Sequence, residues 1–162
     1  MGMPVRLAPD LRLSATFPGR PEEVSRVRAM LHHMLQGCPA AHEVVLCASE
    51  LATNALLHSD TREAGGTFTV RTEITSGESV TIEVEDDGGC WAEPRLHPVY
   101  GHGLDIVGAL TDDWGIREIG KRRVVWARLD WSAGLSARNA AGMPRPEAGS
   151  TRPPPSAGPP AA

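Results

Sequence analysis

Apolar and polar residues alternate from Leu11 to Phe17, which predicts a first strand. The period then lengthens. Val24, Val27, Leu31, Met34 and Leu35 fall on one face of a helix that Pro21 opens, with Glu22 and Glu23 in its first turn, and that Gly37 and Pro39 stop. A second helix, from about Ala41 to His58, is apolar around most of its circumference and so belongs at the centre of the domain. After Gly65 and Gly66 the period returns to two, in Phe68 to Ile74 and in Val80 to Val84, with Ser76 and Gly77 between them, as in a β-hairpin. A proline-containing stretch from Gly88 to Gly103 leads to a short helix, Leu104 to Leu110. Two strands, Trp114 to Glu118 and Val124 to Trp131, follow around Gly120 to Arg123. This order predicts the α+β class: a two-layer α/β sandwich, its sheet mixed and mostly antiparallel, with helices on one face.

Composition narrows the functional classes. The 162 residues suit one domain with a real core. A net charge of -4 and an isoelectric point near 5.8 leave no electrostatic footprint for duplex nucleic acid. No run approaches the roughly 20 apolar residues that cross a bilayer, and no charged n-region precedes an apolar h-region, so a cytoplasmic protein is expected, without membrane or nucleic-acid contact. Cys38, Cys47 and Cys90 lack the close spacing of a zinc or redox motif and read as reduced thiols. From Ser132 onward the chain holds seven of its fourteen prolines and few large apolar residues. The expected division is a flexible N-terminus over 1–10, a folded domain over 11–131 and a disordered tail over 132–162.

Three short patterns carry chemistry. On the second helix Val44, Ala48, Leu51 and Ala55 form one stripe, while Glu50 and Asn54 stand four apart on an adjacent face. In isolation such a pair is a solvent-facing rim; on a helix this apolar it suits an amide oxygen offered to a hard cation and a carboxylate poised as a base beside it. Val84-Glu85-Asp86-Asp87-Gly88-Gly89 ends a strand in acids and glycines, which is ordinary turn chemistry. The alternation Val80, Ile82, Val84, however, points Asp86 to the core side, where it can accept from an exocyclic amine while Gly88 lets the backbone approach a ring. Gly101-His102-Gly103-Leu104 precedes the third helix, and glycine-rich helix starts expose N–H groups suited to phosphate.

Taken in order, these pieces resemble the Bergerat-type ATP-binding domain shared by gyrase, heat-shock chaperones, histidine kinases and mismatch-repair ATPases, over residues 11 to 131. Glu50 to Ala55 is similar to that superfamily's N box, Asp86-Asp87-Gly88 to its first glycine box, and Gly101 to Leu104 to its second. With two helices before the hairpin and a late basic-aromatic strand, Lys121 to Trp126, the chain most resembles the anti-sigma-factor serine/threonine kinases. The resemblance implies ATP and Mg2+ as cofactors, with Asn54 as the metal ligand and Glu50 activating the attacking hydroxyl. It also implies Asp86 on adenine, with Gly88, Gly101, His102, Gly103 and Leu104 completing the nucleotide site. The implied partners are a small antagonist (anti-anti-sigma-type) protein that is phosphorylated and a sigma factor that is sequestered; pairing of two copies stays open.

Two positions depart from the pattern. Cys90 stands where many relatives have a second glycine, and Val124 falls in a run without the threonine that many place beside adenine. These favour an alternative, a non-catalytic nucleotide-gated protein-binding module. The catalytic half of a histidine kinase is disfavoured, because no dimerisation helix with a phospho-acceptor histidine precedes the domain. His58, Ser59 and Asp60 read as a helix end, and Cys90, His97 and His102 lack a compact ligand spacing. Arg26, Arg28 and Lys121 to Arg123 read as solvated charges, and Trp114, Trp126 and Trp131 as core or rim packing.

Overall fold

In the computed structural model, residues 10–89 and 102–130 are described. The order is β1 (Leu11–Pro18), α1 (Glu23–Met34), α2 (Ala41–His58), β2 (Thr67–Thr75), β3 (Ser79–Asp86), α3 (His102–Leu110), β4 (Asp113–Ile119) and β5 (Arg122–Asp130), with a single 3-10 turn at Asp60–Arg62 after α2. The expected strand end at Trp131, the tail over 132–162 and most of the stretch after Gly89 lie outside the described residues.

The five strands form one sheet in the order β1-β2-β3-β5-β4. Every neighbouring pair is antiparallel, which corrects the expectation of a mixed sheet. The cause is topological. The connection through α3 does carry the chain from β3 to a parallel strand, β4, but β5 folds back between the two. A parallel relationship therefore exists in the sheet without a parallel ladder.

The core lies between the sheet and the helices. Val24, Val27 and Leu31 of α1, with Leu35 just after it, meet Val44, Ala48, Leu51 and Ala55 of α2, and these meet Val70, Ile74, Val80, Ile82, Val84, Val125, Ala127 and Leu129 of the sheet. The alternation within each strand sets which side chains face the helices. Helix α2 packs on α1, α3 and β3, so it is the central helix that its nearly all-round apolarity predicts. On the opposite face of the sheet Val124 and Trp126 are buried too. Ion pairs Arg71–Glu85 and Arg117–Glu83, both 2.8 Å, cross that face. Trp114 packs on the core beside α3, where a Cβ on Gly108 would come 3.1 Å from its Nε1.

Cys38 and Cys47 are free, buried thiols. Burial, and then the charges of Glu43 and Glu50, push the Cys47 thiol up to about 12 from an ordinary 9.0. The folded chain thus keeps a proton that the unfolded chain gives up above pH 9. Stability is therefore expected to fall as pH rises from 9 toward 12, and Cys47→Ser should lessen the fall in a denaturant titration repeated across that range. Iodoacetamide at pH 8 should label Cys47 in denaturant and leave it unlabelled in the native protein.

Candidate functional site

The site grows from the C-terminal half of α2. Asn54 is nine-tenths buried, and its Nδ2 has no hydrogen-bond partner among the described residues. Leaving a buried amide unsatisfied costs on the order of 1 to 3 kcal/mol, so such a group marks a place where a partner outside the chain belongs. One helical turn earlier, Glu50 is half-buried, and its carboxylate reaches the start of α3. A Cβ on Gly103 would lie 3.0 Å from Glu50 Oε2, so the missing side chain is what lets the carboxylate sit at the helix's positive end. Leu104, next to Gly103, is partly buried and packs against the core. Gly101, Cys90 and His97 lie outside the described residues, and His102 is described by its backbone alone.

The end of β3 is locked to the end of α2. Helix α2 stops at His58, and Ser59, in extended conformation, accepts from Thr61 N while donating to Ala55 O at 2.6 Å. Thr61, fully buried, donates to Thr67 O and accepts from Asp87 N; Asp87 Oδ2 in turn accepts from Thr67 N at 2.8 Å. Asp60 N donates to Gly88 O at 2.7 Å. These bonds fix the C-terminal end of α2 to the Asp86-Asp87-Gly88 turn. Gly88 has φ +71, and a Cβ there would overlap the Lys121 carbonyl oxygen, so the strand can leave β3 this way only with glycine. Sequence reasoning placed His58 to Asp60 correctly at a helix end but had no signal for the Thr61 hub, which joins nearby Ser59 and Thr67 to Asp87, 26 positions away.

Asp86 points to the helix side of the sheet, as the alternation predicts, and is 1% exposed. Its carboxylate does not stand open for a ligand. Oδ1 accepts from Gly88 N at 2.8 Å, and Oδ2 accepts from both Nε and Nη2 of Arg123, at 3.2 and 2.9 Å. The same Nη2 donates to His58 O at the C-terminus of α2, 2.8 Å away. Arg123 is 3% exposed, which overturns its reading as a solvated charge. The signal was present: Arg123 shares the odd-numbered alternation of Val125, Ala127 and Leu129, all core residues. Val124, singled out as the departure beside adenine, lies by the same alternation on the opposite face of the sheet from Asp86. Loss of water raises the Asp86 carboxyl above its ordinary 3.8, against the opposing effects of Gly88 N–H and Arg123.

The donor set fits a hard, mostly hydrated cation on the Asn54 side. An amide turned about its last bond presents oxygen where Nδ2 now lies, and magnesium takes few protein ligands when a polyphosphate supplies others. Among the described residues no group of three or more His, Cys, Asp or Glu could hold a metal by itself. Asn54→Ala removes the orphaned amide. It is expected to keep or raise the unfolding free energy, by up to about 2 kcal/mol, while weakening Mg·ATP binding at least tenfold. Thermal unfolding together with calorimetric titration checks both halves, and a large loss of stability would make Asn54 a structural residue.

Beside Arg123 and Gly88 opens a cleft of 330 Å³, also lined by Asp60, Asp87, Glu118 and Lys121. Its size is at the low end for small-ligand sites. The described residues include no helix long and apolar enough to cross a membrane. A search of curated proteins finds no match. A family model described as the histidine kinase-like ATPase domain matches residues 17–129, from the last two residues of β1 through α1, α2, β2, β3, α3 and β4 to Leu129 in β5. With the orphaned amide of Asn54, the Glu50–Gly103 approach and the buried Asp86 turn all inside that span, the chain belongs to the histidine kinase-like ATPase domain family.

Proposed function

We propose that this ATP-binding domain is a serine/threonine kinase of the anti-sigma-factor type, acting in the cytoplasm on a small antagonist protein and also binding a sigma factor. Family membership supplies the ATP-binding domain of an ATP-using class. The observation that carries the finer reading is the carboxylate of Glu50, held against Gly103 at the start of α3 and one turn from the unpartnered amide of Asn54.

Phosphoryl transfer asks a protein mainly for positioning, charge neutralisation and a base near the nucleophile. Asn54 would hold Mg2+, which supplies charge neutralisation on the phosphates when bound. Asn54 aligns that end of the nucleotide, and the first turn of α3 offers N–H groups to phosphate oxygens. Glu50 accepts the proton of an incoming serine or threonine hydroxyl at Oε2, the oxygen nearest Gly103. Asp86 is assigned to the base of the nucleotide, and Gly88 to close approach of the ring.

The test is incubation of purified protein with labelled Mg·ATP and candidate antagonist proteins. Label on an antagonist serine or threonine supports the kinase. ATP binding without transfer to any antagonist leaves the nucleotide-gated binding module, in which ATP only shapes a partner surface. That second reading gains from the occupied state of Asp86, which suits a site built to respond to nucleotide rather than to turn it over quickly.

A further inference from the structure

The base end of the site is already filled by a side chain of the protein itself. Of roughly four acceptor positions on a carboxylate, the Asp86 bonds take three: one on Oδ1 from Gly88 N, two on Oδ2 from Arg123. With Asp86 1% and Arg123 3% exposed, an exocyclic amine reaches Oδ2 only after the guanidinium leaves. The sheet offers that guanidinium a second partner. Residue 123 on β5 is directly opposite Asp86 on β3 and directly opposite Glu118 on β4, so the three side chains share one face of the sheet. Directly opposed residues place their Cβ atoms about 5 Å apart, within the reach of an arginine. Glu118 is exposed, and it lines the 330 Å³ cleft together with Arg123 and Gly88.

We propose that Arg123 is an internal competitor for the base-recognition carboxylate, which exchanges Asp86 for Glu118 when a purine is read. In the nucleotide-free chain Arg123 ties β3, β5 and the last carbonyl of α2 together. On binding, an exocyclic amine takes over Oδ2, and the guanidinium turns toward Glu118 at the cleft. Arg123 keeps a carboxylate in both states, and Asp86 keeps hydrogen-bond donors in both, Gly88 N with either the guanidinium or the amine; the other contacts of the nucleotide offset the loss of the Asp86 counter-charge. The exchange lowers nucleotide affinity and couples base recognition to the C-terminal end of α2, four residues beyond Asn54. This inference rests on the assignment of Asp86 to the base, so the test separates the two.

Mg·ATP and magnesium tripolyphosphate, which has no base, are titrated calorimetrically into wild type, Arg123→Met and Glu118→Gln. Arg123→Met is expected to bind ATP at least tenfold more tightly with tripolyphosphate unchanged, and Glu118→Gln to bind ATP about threefold more weakly. Equal or weaker ATP binding by an Arg123→Met protein that still binds tripolyphosphate as wild type does overturns the competitor and leaves the nucleotide site standing. Wild type that prefers ATP to tripolyphosphate no more than Asp86→Asn does overturns the base assignment, and the competitor with it. Should Arg123→Met fail to fold, wild type decides the matter: the Arg123 Nε–H signal in nitrogen-15 spectra is expected to be protected from solvent exchange in the free protein. ATP should shift it and expose it to exchange, whereas a signal equally protected and unshifted at saturation overturns the exchange.

Discussion

Asp86→Ala is expected to lose up to about 3 to 5 kcal/mol of stability, the range for breaking one half of a buried ion pair, and less to the extent that Arg123, 3% exposed, turns to Glu118. The intact pair contributes far less than that. Burial raises the Asp86 carboxyl against the opposing effects of Gly88 N–H and Arg123, and desolvation of both charges offsets much of what such a buried pair returns. Removing both charges should therefore recover most of the loss, and Asp86→Ala combined with Arg123→Met is expected to lie within about 1 to 2 kcal/mol of wild type. Denaturant unfolding of the two single variants and the double variant closes the cycle. A double variant as unstable as Asp86→Ala would show that the carboxylate matters chiefly through Gly88 N at the turn. The consequence for function is practical. A loss of ATP binding in Asp86→Ala alone says little about a contact to the base, because the variant also disturbs the anchor on His58 O.

Glu50→Gln is expected to lower phosphoryl transfer to an antagonist protein by a factor of about 100 to 10,000, the range for removing a positioned general base. ATP binding should stay within a few fold of wild type. The amide preserves the size of the side chain against Gly103 and loses only the capacity to take a proton. Single-turnover transfer, with binding measured on the same preparation, separates the two effects. Transfer that survives at the wild-type rate would remove Glu50 from the chemistry and favour the binding module. A parallel loss of binding would recast it as a residue that shapes the start of α3.

Local order and the face of each element were legible in the residues. The stripe Val24, Val27, Leu31 and Leu35 defined α1, and the nearly continuous apolarity from Val44 to Leu56 made α2 central before any contact was known. Alternation through Val80, Ile82 and Val84 turned Asp86 inward, and glycine at 88 marked a backbone with φ +71. Such features depend on periods of two and 3.6 and on single-residue backbone preference, all carried by neighbours in the chain. The approach of Glu50 to the helix start could be anticipated only as a resemblance. Its physical setting, a glycine whose Cβ would come within 3.0 Å of the carboxylate, is a contact across 53 positions.

Tertiary structure alone decided the rest. The sheet became wholly antiparallel because β5 returns between β3 and β4, a choice of landing place that no strand's own pattern encodes. Arg123 shares the inward alternation of Val125, Ala127 and Leu129, but its partner is chosen only when β5 pairs with β3; the pairing sets it opposite Asp86, and burial then calls for a carboxylate beside it. In the same way Thr61 acquires its role only when α2, β2 and the Asp87 turn converge on one hydroxyl. The chain by itself determined the order and kind of its elements and most of the residues that turn inward. Which inward residues meet was decided by the packing of distant segments, because a buried polar group takes its partner from whatever the fold sets beside it.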